Sequence, residues 1–92
     1  MTEVHAAVAA AELPNLDAMN EARRRNVATL LDVLGDAEGI TPLPGLAGTK
    51  PVYYNLILQY DEAIVGAPRK AFVAALKAEG IPIKMFYVPL QR

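Results

Sequence analysis

The segment nearest to a reactive motif is Gly45-Leu46-Ala47-Gly48-Thr49-Lys50. A phosphate loop needs Gly-Lys-Ser/Thr at the start of a helix, so that backbone amides and the lysine converge on phosphate. Here threonine precedes lysine and Pro51 leads toward an extended segment, so the stretch reads as a surface turn. His5 is the single histidine. One imidazole cannot build a His-rich metal site, and no carboxylates stand around it at ligand spacing, so it reads as a polar helix-surface residue. The four lysines are Lys50, Lys70, Lys77 and Lys84. A Schiff-base lysine needs burial or a cationic neighbour. Lys70 and Lys77 fall on the solvent side of a helical pattern, and Lys84 alternates with apolar Ile83 and Met85, so none reads as a nucleophile. Serine and cysteine are both absent, which excludes Ser- and Cys-based catalysis, thiolate zinc sites and disulfides.

Arg23-Arg24-Arg25 is a basic run. On a helix its three side chains diverge, so they form no single fork. They read as solvated charges offsetting Asp17, Glu21 and Asp32, with the Arg23 stem covering core. Glu21 and Arg25 stand four apart in the favourable order, worth about 0.3–0.5 kcal/mol. The net charge is −1, which gives no reason to expect nucleic acid. The aromatic residues Tyr53, Tyr54, Phe86 and Tyr87 remain. They are of a type that walls a cleft, although packing in a core or interface is their commoner fate.

These residues need elements to position them. Residues 1–13 form an alanine-rich helix, since alanine loses no side-chain entropy. Pro14 interrupts it and pushes Leu13 toward extended geometry, then opens a second helix with Asn15 and Asp17 near its positive end. Leu16, Met19, Arg23, Val27, Leu30, Leu31 and Leu34 make one stripe at helical spacing, and Gly35 ends it. Residues 36–51 are rich in glycine and proline and read as loop, with a short edge strand at 40–43. Residues 52–60 alternate as a strand, with Val52, Tyr54, Leu56 and Leu58 on one face and Tyr53, Asn55, Ile57 and Gln59 on the other. Residues 61–67 connect. Pro68 opens a third helix that Gly80 ends, with Phe72, Val73, Leu76 and Ala75 turned inward. Residues 81–88 return as a strand that Pro89 closes. The expected class is α+β: two N-terminal helices, then a small, mainly antiparallel sheet with one further helix packed on it.

Length bounds the rest. Ninety-two residues allow one domain, 1–92, with a helical segment 1–35 and a sheet-plus-helix segment 36–92. A chain this short hides only about 60–65% of its unfolded surface. Yet 53% of its residues are apolar, which argues against disorder and leaves apolar surface for a partner. The absence of cysteine fits a cytosolic protein. Residues 6–11 are small but follow Glu3 rather than a basic stretch, so a signal peptide is not expected. No apolar run is long enough to span a bilayer.

Taken in order, several segments resemble one family. Met1-Thr2-Glu3, Ala6-Ala7, Leu13-Pro14-Asn15-Leu16-Asp17 and Arg23-Arg24 are similar to the M-T-E-x-x-A-A … L-x-x-L-D … R-R stretch of DegT/StrS-type aminotransferases. Pro68-Arg69, Leu76, Gly80-Ile81 and Tyr87-Val88-Pro89-Leu90 resemble the family's R-D … L-x-x-x-G-I … H-Y-x-P-L-H ending. The resemblance covers essentially all 92 residues, and its specificity lies in order and spacing rather than in any single piece. There are departures. Phe86 and Gln91 stand where the family has histidines, Lys70 where it has aspartate, and His5 and Glu12 where it has glutamines. These changes bear on substrate contacts more than on the scaffold.

The resemblance implies the C-terminal small domain of a fold type I, pyridoxal-phosphate-dependent enzyme that aminates keto-sugars or keto-cyclitols. The Schiff-base lysine, the aspartate facing the pyridine nitrogen and the phosphate-binding residues belong to the family's upstream domain, so no catalytic or cofactor-binding residue is assigned here. It implies a large cofactor-binding domain or a second subunit as partner, a homo-oligomer, and a substrate-cleft wall to which Tyr54, Phe86 and Tyr87 are assigned. A reading of a different class is a free-standing interaction module that uses exposed apolar surface. An independent small-molecule enzyme is disfavoured by the missing nucleophile and metal ligands.

Overall fold

A computed structural model describes residues 1–85. The fold is α+β, and the chain divides into two compact units, Met1–Ala37 with Pro42–Leu58, and Glu38–Thr41 with the chain from Gln59 onward.

The first unit begins with α1, Glu3–Glu12. Thr2 caps it: its hydroxyl accepts the His5 N–H at 3.3 Å, and Glu3 places a negative charge in the first turn. Pro14 does not break the helix. Leu13 keeps right-handed helical geometry and donates its N–H to the Ala9 carbonyl. The chain then tightens into a 3-10 turn, Leu13–Asn15, and continues as α2, Leu16–Leu34. The expected extended Leu13 is thereby corrected. Proline lacks an N–H only where the first residues of the next helix have no helical partner anyway. Gly35, at φ 56°, stops α2 by a conformation that other residues reach only at a cost. Val27, Leu31 and Leu34 are half-buried along α2, whereas Leu16, Met19 and Leu30 of the expected stripe are exposed.

Strand β1, Ile40–Pro42, pairs with β2, Leu58–Tyr60. The bonds Leu43 N–H to Ile57 C=O (3.0 Å) and Asp61 N–H to Gly39 C=O (2.8 Å) fix an antiparallel register with Thr41 opposite Gln59. That register puts Pro42 at a non-hydrogen-bonded position, where its missing N–H costs the ladder nothing. The strand is much shorter than the expected 52–60.

In the second unit a short helix, α3 (Glu62–Val65), occupies the expected connection. The Asp61 carboxylate accepts the N–H groups of Ala63 (2.9 Å) and Ile64 (3.2 Å), and Gly66 ends the turn in left-handed geometry. Helix α4 follows, Arg69–Ala78. The Arg69 N–H donates to the Glu62 carboxylate at 2.9 Å, so one acidic side chain satisfies a free donor at the start of α4. Val73 on α4 is 7% exposed and is the one buried residue among those described. Phe72 and Leu76 are half-buried, and Ala75, expected inward, is exposed. Beside it the rings of Phe72 and Tyr60 stack with centroids 4.9 Å apart, and the Tyr60 hydroxyl donates to the Ala67 carbonyl at 2.8 Å.

After Gly80 no strand forms over residues 81–85. Ile81 spends its N–H on Leu76 and Ile83 on Ile81, and Pro82 has none, so the backbone donors a ladder would use are taken locally or absent. Residues 86–88 of the expected strand lie outside the described residues.

Candidate functional site

The polar side chains that converge across the sequence do so in the first unit. Arg24 on α2 donates Nε–H to the Pro51 carbonyl at 2.8 Å. One carboxylate oxygen of Glu21, Oε1, receives both Arg24 Nη1 and, at 2.8 Å, Lys50 Nζ. Two consecutive loop residues, Lys50 and Pro51, are thus tied to two residues one turn apart on α2. The Lys50 hydrogen bond is the largest cause, with the charges of Lys50 and Arg24 assisting, of a Glu21 carboxyl held below its ordinary range. The pairing differs from the expected Glu21–Arg25 contact. The loop reaches α2 on the side of Arg24, and Glu21 turns toward the two cations gathered there. Thr49, just before the tie, closes a turn by donating both its N–H and its hydroxyl to the Leu46 carbonyl.

Beyond the tie the backbone does something the sequence does not announce. Tyr53 has φ 53°, and it is the one non-glycine residue with positive φ among those described. For a residue with a Cβ this left-handed conformation costs about 1–2 kcal/mol. The alternation breaks beside it: Tyr54 and Asn55 form a bend and are both exposed. Leu56, Leu58 and Tyr60 are half-buried in even positions, but at the other side of the kink Tyr53 turns in and Tyr54 turns out, 87% exposed. The expected strand pattern places Tyr54 with Leu56 and Leu58; in the structure Tyr53 is half-buried like them and Tyr54 is not.

Of the three expected cleft-wall residues, Tyr54 is therefore an aromatic ring standing in solvent, held at the end of a tied loop. Phe86 and Tyr87 lie outside the described residues. Sequence reasoning missed Glu21 and Arg24 as positioning groups, since only the fold brings positions 27 and 29 apart into contact.

The second unit holds one open hollow of about 500 Å³ beside β2 and α3, lined among others by Thr41, Gln59, Asp61 and Glu62. Its two carboxylates already accept backbone N–H groups, as N-cap of α3 and at the start of α4. They are structural groups. Lys50, Lys70, Lys77 and Lys84 are all exposed, so none sits in the buried setting a Schiff-base lysine needs. Among the described residues no three His, Asp or Glu side chains are placed to hold a metal, and no helix is long and apolar enough to cross a membrane.

Comparison with known proteins gives these residues a context. All of residues 1–92 match the DegT/DnrJ/EryC1/StrS aminotransferase family. Among curated proteins the chain is similar to the L-glutamine:2-deoxy-scyllo-inosose aminotransferase of Streptoalloteichus tenebrarius, with 40% identity over 93 aligned positions. That alignment takes in 98% of this chain and 22% of the relative. No solved structure matches it. An end-to-end match joins the N-terminal M-T-E and the C-terminal Y-V-P-L segments in one frame: the chain belongs to the DegT/DnrJ/EryC1/StrS aminotransferase family.

Proposed function

We propose that these residues are the C-terminal small domain of a pyridoxal-phosphate-dependent aminotransferase that transfers an amino group to a keto-sugar or keto-cyclitol. The observation that carries this reading is the match over the whole chain to the family, together with 40% identity to a cyclitol aminotransferase of which the chain spans 22%. The relative's name favours a six-membered cyclitol ketone as acceptor and L-glutamine as amino donor. The domain's part is to close one side of the active site and to contribute to a homo-oligomer. Tyr54, Phe86 and Tyr87 are its cleft wall. Pyridoxal phosphate supplies the electron sink for amino transfer when it is bound. These residues do not fit it by themselves, since all four lysines are exposed and Lys50 is engaged by Glu21. The cofactor therefore belongs to the large domain, and this chain does not transaminate alone. The absence of cysteine favours the cytosol.

The test is direct. The purified chain is mixed with pyridoxal phosphate, L-glutamine and 2-deoxy-scyllo-inosose, first alone and then with the cofactor-binding portion of the relative. Amino product in the second mixture only is expected. Product from the chain alone would overturn the reading.

A second reading, a free-standing interaction module, draws on α1. No residue of this helix is buried, and Val4 and Val8, one turn apart, are 72% and 58% exposed. Light scattering tests both partner-dependent readings: a stable monomer with full helix content would count against each.

A further inference from the structure

We propose that the Tyr54 ring is a stacking platform for a polyhydroxylated six-membered ring, and that Tyr53, Arg24 and Glu21 are the residues that position it. The inference rests on the aminotransferase reading only for the class of ligand. The geometry comes from the chain itself.

Three observations converge. First, a large aromatic side chain stands 87% exposed, although the alternation of its own segment would turn it inward. Second, the residue before it, Tyr53, holds a backbone conformation that L-residues rarely adopt, and strain of this kind persists only where surrounding contacts hold it. Third, those contacts are present. Arg24 fixes the Pro51 carbonyl and Glu21 fixes Lys50, so the chain is pinned to α2 immediately before the kink. Apolar packing contributes less here, because no residue from 41 to 52 is buried or half-buried. The polar tie and the half-buried Tyr53 ring are what set the direction of Tyr54. An exposed aromatic face is a poor surface for water and a good one for the axial C–H groups of a cyclitol or hexose ring, whose hydroxyls point to the rim and stay hydrated. Hydrogen bonding to the phenol is not required.

The whole chain is examined by saturation-transfer NMR with scyllo-inositol as probe and methyl glucoside in a parallel arm. Transfer to the ring C–H protons is expected, retained in Tyr54→Phe and weakened about two- to tenfold in Tyr54→Ala. Tyr53→Gly relieves the left-handed strain but removes the half-buried ring, so its thermal melt is recorded alongside, and in the folded variant transfer weakens because the direction of the Tyr54 ring is loosened. Arg24→Ala acts in the same way, and Arg24→Lys does not restore it. Transfer to scyllo-inositol alone assigns the ring to cyclitols, and transfer to the glucoside alone to sugars. Both outcomes support the platform. No transfer to either ring, equal transfer in Tyr54→Ala, or equal loss in Tyr54→Phe and Tyr54→Ala would overturn it. None of these readouts needs the cofactor, so a failed transamination assay leaves the inference standing, and a failed stacking assay leaves the family reading standing.

Discussion

Arg24 Nε–H and the Pro51 carbonyl meet at 2.8 Å across 27 positions of sequence. The guanidinium also reaches Glu21, and Glu21 reaches Lys50, the residue before Pro51. These contacts join a helix to a glycine- and proline-rich loop, and each charged partner is solvent-accessible. The tie therefore responds to solution conditions in ways a buried contact does not.

Acid should open it. Lys50, then Arg24, hold the Glu21 carboxyl below its ordinary range in the folded chain. A lowered folded-state value means that the contribution is fully present above the unfolded-state value and is lost as pH falls through the folded one. The expected outcome is faster amide exchange at Thr49 on acidification, with that pH step missing in Glu21→Gln. A carboxyl-carbon NMR titration placing Glu21 at or above an ordinary glutamate would show that the tie does not form in solution.

Gly39 should tolerate no side chain. It has φ 83°, and a Cβ there would stand 2.7 Å from Val65 Cγ2 and 3.1 Å from Ile64 Cβ. Gly48 has φ 76° with open space around it. Gly39→Ala is expected to cost about 1–3 kcal/mol more than Gly48→Ala in urea unfolding, the difference being the clash with α3. Equal costs would mean that α3 does not approach β1 as closely.

Asp61→Ala removes the cap of a helix only four residues long. The expected loss is about 0.5–2 kcal/mol, concentrated in the amides of Ala63 and Ile64, which exchange freely in the variant. Asp61→Asn should recover most of the protection. Unchanged protection in Asp61→Ala would assign the turn to its neighbours instead.

Val73→Ala should destabilise the second unit by about 1–2.5 kcal/mol, because it empties the one buried position among the described residues. Leu30→Ala, at an exposed position of α2, should change stability by less than about 0.5 kcal/mol. A melting curve for each variant checks the contrast.

The helices were legible because local chemistry marks them. Thr2 before an alanine run, Gly35 and Gly80 at the ends, Pro68 at a start, and the inward Phe72, Val73 and Leu76 all read correctly by rules that need only neighbouring residues. α3 was missed although its signal was present: Asp61 ahead of Glu-Ala-Ile-Val, closed by Gly66, is a capped turn. The long strand failed for a different reason. Period-two alternation assumes that every residue keeps extended geometry, and a left-handed Tyr53 followed by a bend at Tyr54 and Asn55 breaks it. Nothing in residue type marks Tyr53 for that role. Tyr54 was legible as a candidate by type, but its exposure was not, and the Glu21–Lys50 contact depends on a fold that brings position 50 back to position 21. The family was legible because order and spacing of short segments survive substitution better than single side chains do.

That Val73 is the one buried residue among those described carries a consequence for how this sequence can drift. Substitutions at most positions cost these residues little among themselves, so selection acting through their own folding is weak. Where Val4 or Val8 nevertheless resists replacement, the resistance originates in whatever lies against α1. A deep mutational scan of the chain in its cellular setting would then act as a footprint, with intolerant outward positions outlining the surface of any neighbour.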